Sequence, residues 1–137
     1  MHEISCSWTG NMAFEAKVNG HSIPLDADTE FGGEDSGPRP KPLILTALAG
    51  CSGMDVVSLL KKMREPLSWF NIRVEGNLTD DHPKVYDRIK LIYEFKQSDG
   101  LNPANVEKAI NLSQDKYCGV SAMLRKAAQV EHEVVYL

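Results

Sequence analysis

Two cysteines have neighbourhoods suited to thiol chemistry. Cys51 lies in Leu48-Ala49-Gly50-Cys51-Ser52-Gly53-Met54-Asp55, and Cys118 lies in Gln114-Asp115-Lys116-Tyr117-Cys118-Gly119-Val120-Ser121. The small residues around Cys51 leave room for a substrate. Gly119 permits a helix to start just after Cys118, where free backbone amides favour a thiolate, the reactive form of the side chain. A second reading stays open, because unpaired buried cysteines often serve as small, inert core residues. The third cysteine, Cys6, falls in an edge-type strand without such a setting and reads as core.

Other chemistries find little support. The sequence has no Gly-rich phosphate loop after a strand, no Gly-x-Ser-x-Gly elbow, no Cys-x-x-Cys and no paired histidines on a helix. His2, His21, His82 and His132 are scattered, and no cluster supplies three metal ligands at workable spacing, so neither a metal nor a cofactor is expected. The net charge of −4 argues against nucleic acid, whose phosphates demand Lys and Arg. Lys61, Lys62 and Arg64 do cluster, but Asp55 and Glu65 flank them, and the run reads as the solvated end of a helix.

No apolar stretch is expected to span a bilayer, and the start Met1-His2-Glu3-Ile4-Ser5-Cys6 lacks a signal-peptide pattern. A cytoplasmic, reducing location follows as the expectation. Three widely spread cysteines do not make a structural disulfide framework there.

The elements that must position the thiols can be read from periodicity. At 137 residues and 42% hydrophobic content, the chain is expected to form a single domain over residues 1–137. Ile4, Cys6 and Trp8 alternate up to Gly10-Asn11, and Met12, Phe14, Ala16 and Val18 alternate up to Asn19-Gly20. Asn and Gly suit hairpin turns, so the first 25 residues predict an antiparallel meander with one face buried. Asp26 to Lys41 is a glycine- and proline-rich acidic loop, of a length uncommon unless it has a function.

Leu43 to about Met63 predicts a long helix, apolar nearly all round and hence buried, kept slim by Gly50 and Gly53. Strands are predicted over Trp69 to Leu78 and Val85 to Phe95. A helix follows from Asn102-Pro103, with Asn as the cap and Pro in the first turn. Tyr117-Cys118-Gly119 interrupts it, a short helix resumes at Val120, and Gln129 to Leu137 forms a last strand. This order predicts an α+β fold with a mainly antiparallel sheet.

The combination of Ala47-Leu48-Ala49-Gly50-Cys51-Ser52-Gly53-Met54-Asp55-Val56 with Lys116-Tyr117-Cys118-Gly119-Val120-Ser121 resembles the OsmC/Ohr superfamily. A long cysteine-bearing helix, a second cysteine after an intervening hairpin and a three-stranded start all match its order of elements. The resemblance implies an intertwined homodimer with a central buried helix and active sites at the subunit interface. It also implies hydroperoxide reduction without flavin, haem or metal. By the same resemblance, Cys51 is the attacking thiolate, Cys118 the resolving thiol, a small-molecule peroxide the substrate and a dithiol the reductant.

This sequence departs from the family in one respect. Hydroperoxide-reducing members carry a Pro-Glu pair at the start of the cysteine helix, and that Glu pairs with an Arg from the N-terminal hairpin. Here Pro40 is followed by Lys41, and the hairpin turn Thr9-Gly10-Asn11 has no Arg. Arg39 or Lys41 can supply the positive charge instead. Arg39 is favoured because its planar fork can serve a thiolate and a carboxylate such as Glu30 or Glu34. Asp55 would raise the Cys51 thiol pKa if it faced it, and is assigned to structure. An apolar pocket lined by Phe31, Met54 and Tyr117 is expected. Two other readings stand beside the peroxidase: a non-enzymatic thiol sensor or small-molecule binder on the same scaffold, and a structural dimer with inert cysteines.

Overall fold

The computed structural model describes residues 1–137 and has the element order β-β-β-α-β-β-α-α-β. This is the expected α+β arrangement. The strands form two three-stranded sheets, and the chain divides into two compact units, residues 1–44 and 45–137.

The first unit contains β1 (Ser5–Gly10), β2 (Ala13–Val18) and β3 (His21–Leu25), paired antiparallel in that order. Both turns fall where the Asn and Gly residues predict: Asn11 and Asn19 have φ of 49° and 50°, in the left-handed region. The expectation of a buried face needs correction. Trp8 is 66% exposed, and Ile4, Met12 and Phe14 are also exposed, as is Cys6, which is therefore not a core residue. Period-two alternation marks a face able to bury apolar groups, but residues 1–44 contain no second layer to cover it.

The acidic loop is ordered around one carboxylate. Asp26, only 4% exposed, accepts hydrogen bonds from the amides of Ala27 (2.7 Å), Glu34 (3.2 Å) and Ser36 (3.1 Å) and from Ser36 Oγ (2.6 Å). Gly37 is required by close approach, since a Cβ there would lie 2.7 Å from the Pro24 carbonyl oxygen.

In the second unit, β4 (Phe70–Leu78) pairs antiparallel with β5 (Tyr86–Phe95), and β5 pairs parallel with β6 (Gln129–Tyr136). The parallel pairing is possible because two helices, α2 (Pro103–Leu112) and α3 (Gly119–Leu124), make the long crossover that parallel strands need. β5 is central, and its Ile89, Leu91, Tyr93 and Phe95 are fully buried together with Val106, Ala109 and Ile110 of α2. Asn102 caps α2 as predicted, its side chain accepting from the Ala104 amide, with Pro103 in the first turn.

The long helix α1 runs Pro42–Lys62, and two expectations about it are corrected. Its best 18-residue window has a mean hydropathy of 1.8, so by length and composition it is long and apolar enough to cross a membrane. Asp55, Thr46 and the serines break the run of apolar letters without ending the helix. Nor is α1 buried all round. Leu48, Ser52, Val56 and Leu60 form one fully buried stripe at four-residue spacing, whereas Ile44, Met54 and Val57 are exposed. Gly53 lets α1 approach β4 closely, since a Cβ there would lie 3.1 Å from Ile72 Cδ1.

Candidate functional site

The helix period places Cys51 and Asp55 on the same side of α1, one turn apart. Both stand beside the buried stripe and are half-buried. The third member arrives from the other end of the unit. After α2 the chain makes one wide π-helical turn, Ser113–Tyr117, closed by a 2.7 Å bond from the Cys118 amide to the Ser113 carbonyl. Such turns commonly mark functional positions. It delivers Cys118, 2% exposed, as the N-cap of α3, where its Sγ accepts a 3.4 Å bond from the Ser121 amide.

The two sulfurs and an Asp55 carboxylate oxygen all lie within 4.8 Å of one another. Two candidate residues 67 positions apart are thus brought together, along with a third that sequence reasoning set aside. Asp55 faces the cysteines. Its Oδ2 accepts a 2.9 Å hydrogen bond from Ser113 Oγ. The expectation that no cluster offers three metal-ligating groups is likewise corrected by this triad.

Burial pushes the Cys118 thiol up to about 11, with the nearby Cys51 and Asp55 adding to the rise and the Ser121 amide opposing it. The helix start after Gly119 therefore does not suffice to make Cys118 a thiolate at neutral pH, because desolvation outweighs one amide.

Behind the triad lies a buried polar network that sequence reasoning missed. Ser52 Oγ and Tyr93 OH are 2.5 Å apart, and Gln114 Nε2 donates to both at 3.0 Å. Ser113 Oγ is 3.2 Å from Ser52 Oγ, and Ser121 Oγ donates to Gln114 Oε1 at 2.7 Å. Arg125 closes the far side, donating to the Gln114 carbonyl at 3.1 Å and to Asp115 Oδ1 at 3.3 Å. Burial pushes the Tyr93 hydroxyl up to about 12, so at neutral pH it stays a neutral donor and acceptor. The network joins α1, β5, the π-helical turn and α3. It thereby holds the two cysteine-bearing segments in register. No local sequence pattern signals the network; the four-residue spacing of Cys51 and Asp55 signals only that those two share a side of α1.

Arg39 lies in the first unit, where its guanidinium donates to Asp28, to Asp35 Oδ1 (2.7 Å) and to the Gly37 carbonyl (2.7 Å). Its carboxylate partners are thus Asp28 and Asp35, not the expected Glu30 or Glu34. Both acids accept from the same guanidinium nitrogen, Nη2, while Nη1 donates to the Gly37 carbonyl. Arg39 Nε is buried and has no hydrogen-bond partner.

An open groove of about 680 Å³ runs along α1 and β4, lined by Gly50, Gly53, Met54, Val57, Phe70 and Ile72 among others. Its walls are mostly apolar, and neither Cys51 nor Cys118 lines it. Of the three residues expected to line a pocket, only Met54 belongs to this groove. Tyr117 is exposed, with Lys116 Nζ 5.3 Å from its ring centre, and Phe31 is exposed in the first unit.

Residues 33–133 match the family described as OsmC-like protein. The chain is 32% identical to Protein YhfA of Escherichia coli K12 over 126 residues, covering 91% of this chain and 90% of that one. In three dimensions it is similar to a crystal structure from Aquifex aeolicus VF5, with a TM-score of 0.82 and 28% identity, covering 100% of this chain and 98% of that one. It shares its fold with the organic hydroperoxide resistance protein OhrB of Bacillus subtilis at a TM-score of 0.68 and 16% identity, covering 98% and 97% of the two chains.

Proposed function

Because the chain belongs to the OsmC-like family, we propose that it reduces organic or inorganic hydroperoxides through a Cys51–Cys118 thiol cycle. The observation that supports this reading is the pairing itself: a half-exposed and a buried sulfur within 4.8 Å of each other, held by different segments. A disulfide needs the sulfurs to close to about 2 Å.

The cycle starts with the Cys51 thiolate attacking the distal peroxide oxygen. The O–O bond breaks, the leaving alkoxide takes a proton and departs as the alcohol, and Cys51 is left as a sulfenic acid. Cys118 sulfur then attacks the Cys51 sulfur, water leaves and the disulfide forms. A dithiol reductant restores both thiols by exchange, supplying two electrons and two protons. Arg39 is the proposed cation of the reaction, standing in for the Arg that the N-terminal hairpin lacks. The proposal also takes the chain as one OsmC-like domain over residues 1–137, working in the cytoplasm. There it forms an intertwined homodimer in which a second copy covers the exposed Ile4, Trp8 and Phe14 and completes the active sites.

One observation favours a second reading, a slow thiol sensor. A Cys118 thiol pushed up to about 11 is mostly protonated at neutral pH, so it would resolve the sulfenic acid slowly. Both readings meet in one experiment. Reduced protein is mixed with one equivalent of an alkyl hydroperoxide, with free thiols counted over time and linkages mapped by mass spectrometry. The peroxidase predicts rapid loss of two thiols and a Cys51–Cys118 linkage reversed by a dithiol, with Cys51→Ser slowing the reaction about a thousandfold or more. The same linkage without turnover would favour the sensor. Thiol loss confined to Cys6 would overturn both.

A further inference from the structure

We propose that the reduced protein binds one Zn²⁺ through Cys51, Asp55 and Cys118, and that this metal and the Cys51–Cys118 disulfide exclude each other. The inference goes beyond the peroxide reading and does not depend on it.

The donor set suits the ion. Two sulfurs and a carboxylate oxygen already lie within 4.8 Å of one another. In a tetrahedral zinc site, with Zn–S near 2.3 Å and Zn–O near 2.1 Å, such atoms sit about 3.5–3.8 Å apart. Closing that gap takes shifts on the order of 1 Å. Two thiolates select a borderline-soft cation over magnesium or calcium. Cys51 and Asp55 form a two-ligand clamp one helical turn apart, and Cys118 enters from a separate segment at the start of α3.

The surroundings orient the ligands as supporting groups do in metal sites. Ser113 Oγ holds Asp55 Oδ2, leaving Oδ1 for the ion, and the Ser121 amide holds one lone pair of Cys118 Sγ. Charge points the same way. With both thiols ionised the triad carries three negative charges, and the nearby Arg125 donates to Gln114 and Asp115. A divalent cation offsets that repulsion, and binding expels the two thiol protons to solvent. Three protein ligands leave a fourth position for water, the arrangement of an open site. Because the same two sulfurs form the disulfide, oxidation must eject the ion and the bound ion must shield the thiols.

The test titrates reduced, chelator-treated, full-length protein with Co²⁺ as a spectroscopic stand-in and then with Zn²⁺. The expected result is one equivalent of Co²⁺ with a near-ultraviolet thiolate-to-cobalt band. Zn²⁺ should displace it and slow alkylation of Cys51 and Cys118 but not of Cys6. Asp55→Asn keeps the side-chain shape and should weaken binding at least about tenfold, and Cys118→Ser should abolish the two-thiolate band. Folding of both variants is checked by circular dichroism. Absence of the band in the wild type, or equal affinity in Asp55→Asn, overturns the site. The thiol count after peroxide is run on metal-free protein, so its failure would sink the peroxidase reading and leave this one standing.

Discussion

The two units of this chain are held together by different means. Residues 45–137 enclose a core in which Leu48, Val56, Leu60, Tyr93, Phe95 and Ile110 are fully buried. In residues 1–44 only Ala16 and Asp26 are buried, and large apolar side chains face outward. Order in the first unit rests on strand pairing and on a loop braced by Asp26 and Arg39. Order in the second rests on apolar burial, with a polar network set inside it. The thiol pair belongs to the unit that can hold atoms in place by packing. The open apolar face belongs to the unit that encloses no core of its own.

The largest effect that would sharpen this contrast is expected at Leu60. Leu60→Ala removes a fully buried side chain and should cost about 2–5 kcal/mol, independent of protein concentration, in a chemical denaturation series. Trp8→Ala, at a position 66% exposed, should act instead through assembly, making the midpoint fall on dilution as a weaker dimer predicts. Equal, concentration-independent losses at both positions would break the comparison.

Next in size is Tyr93→Phe, within the second unit but against its polar network. Removing the hydroxyl leaves the buried Ser52 Oγ and Gln114 Nε2 each short of a partner, a cost of about 1–3 kcal/mol. Because the network spans α1 and the π-helical turn, the variant should also slow Cys51–Cys118 linkage under peroxide, read as the rate of disulfide formation. A stability loss with an unchanged linkage rate would confine the network to a packing role.

The parts of this arrangement that were legible in the sequence are those carried by local chemistry. The left-handed residues Asn11 and Asn19, the Asn102-Pro103 cap and the alternation of β4 and β5 each announce themselves within a few positions. Cys51 and Cys118 were legible from small neighbours, the glycine after Cys118 and the family resemblance. The network was not, because Ser52, Tyr93, Gln114 and Ser121 come from four separate segments, and no local pattern marks a buried serine as a partner of a distant tyrosine. The placement of Asp55 beside the cysteines turns on the rotation of α1. A helix read as apolar all round has no preferred face, whereas the observed stripe through Leu48, Ser52, Val56 and Leu60 leaves Cys51 and Asp55 together on its flank. The outward face of the first sheet is not legible in the sequence for a related reason. Alternation tells which residues can share a layer, but not whether the chain itself supplies that layer.

The smallest expected effect tests the polar bracing of the first unit. Four donors hold the Asp26 carboxyl well below the usual carboxylate range, with the Ser36 hydroxyl the largest contributor and the Ser36 and Ala27 amides next. A depressed folded pKa means that the unfolded chain takes up the proton first as pH falls. The stabilisation is therefore complete above the unfolded value of about 3.9 and is lost progressively below it. Asp28, Glu65, Glu94 and Asp99 are also held low by their partners, so the wild-type acid slope is a sum. The difference between the wild type and Asp26→Asn isolates the Asp26 share. That difference should be constant from pH 7 to about 5 and should shrink below about 4, because the wild type alone loses a carboxylate there. Amide exchange at Glu34 and Ser36 should quicken over the same interval in the wild type. A difference that stays level down to pH 2 would mean that the loop is held by its backbone conformation and not by the charge at its centre.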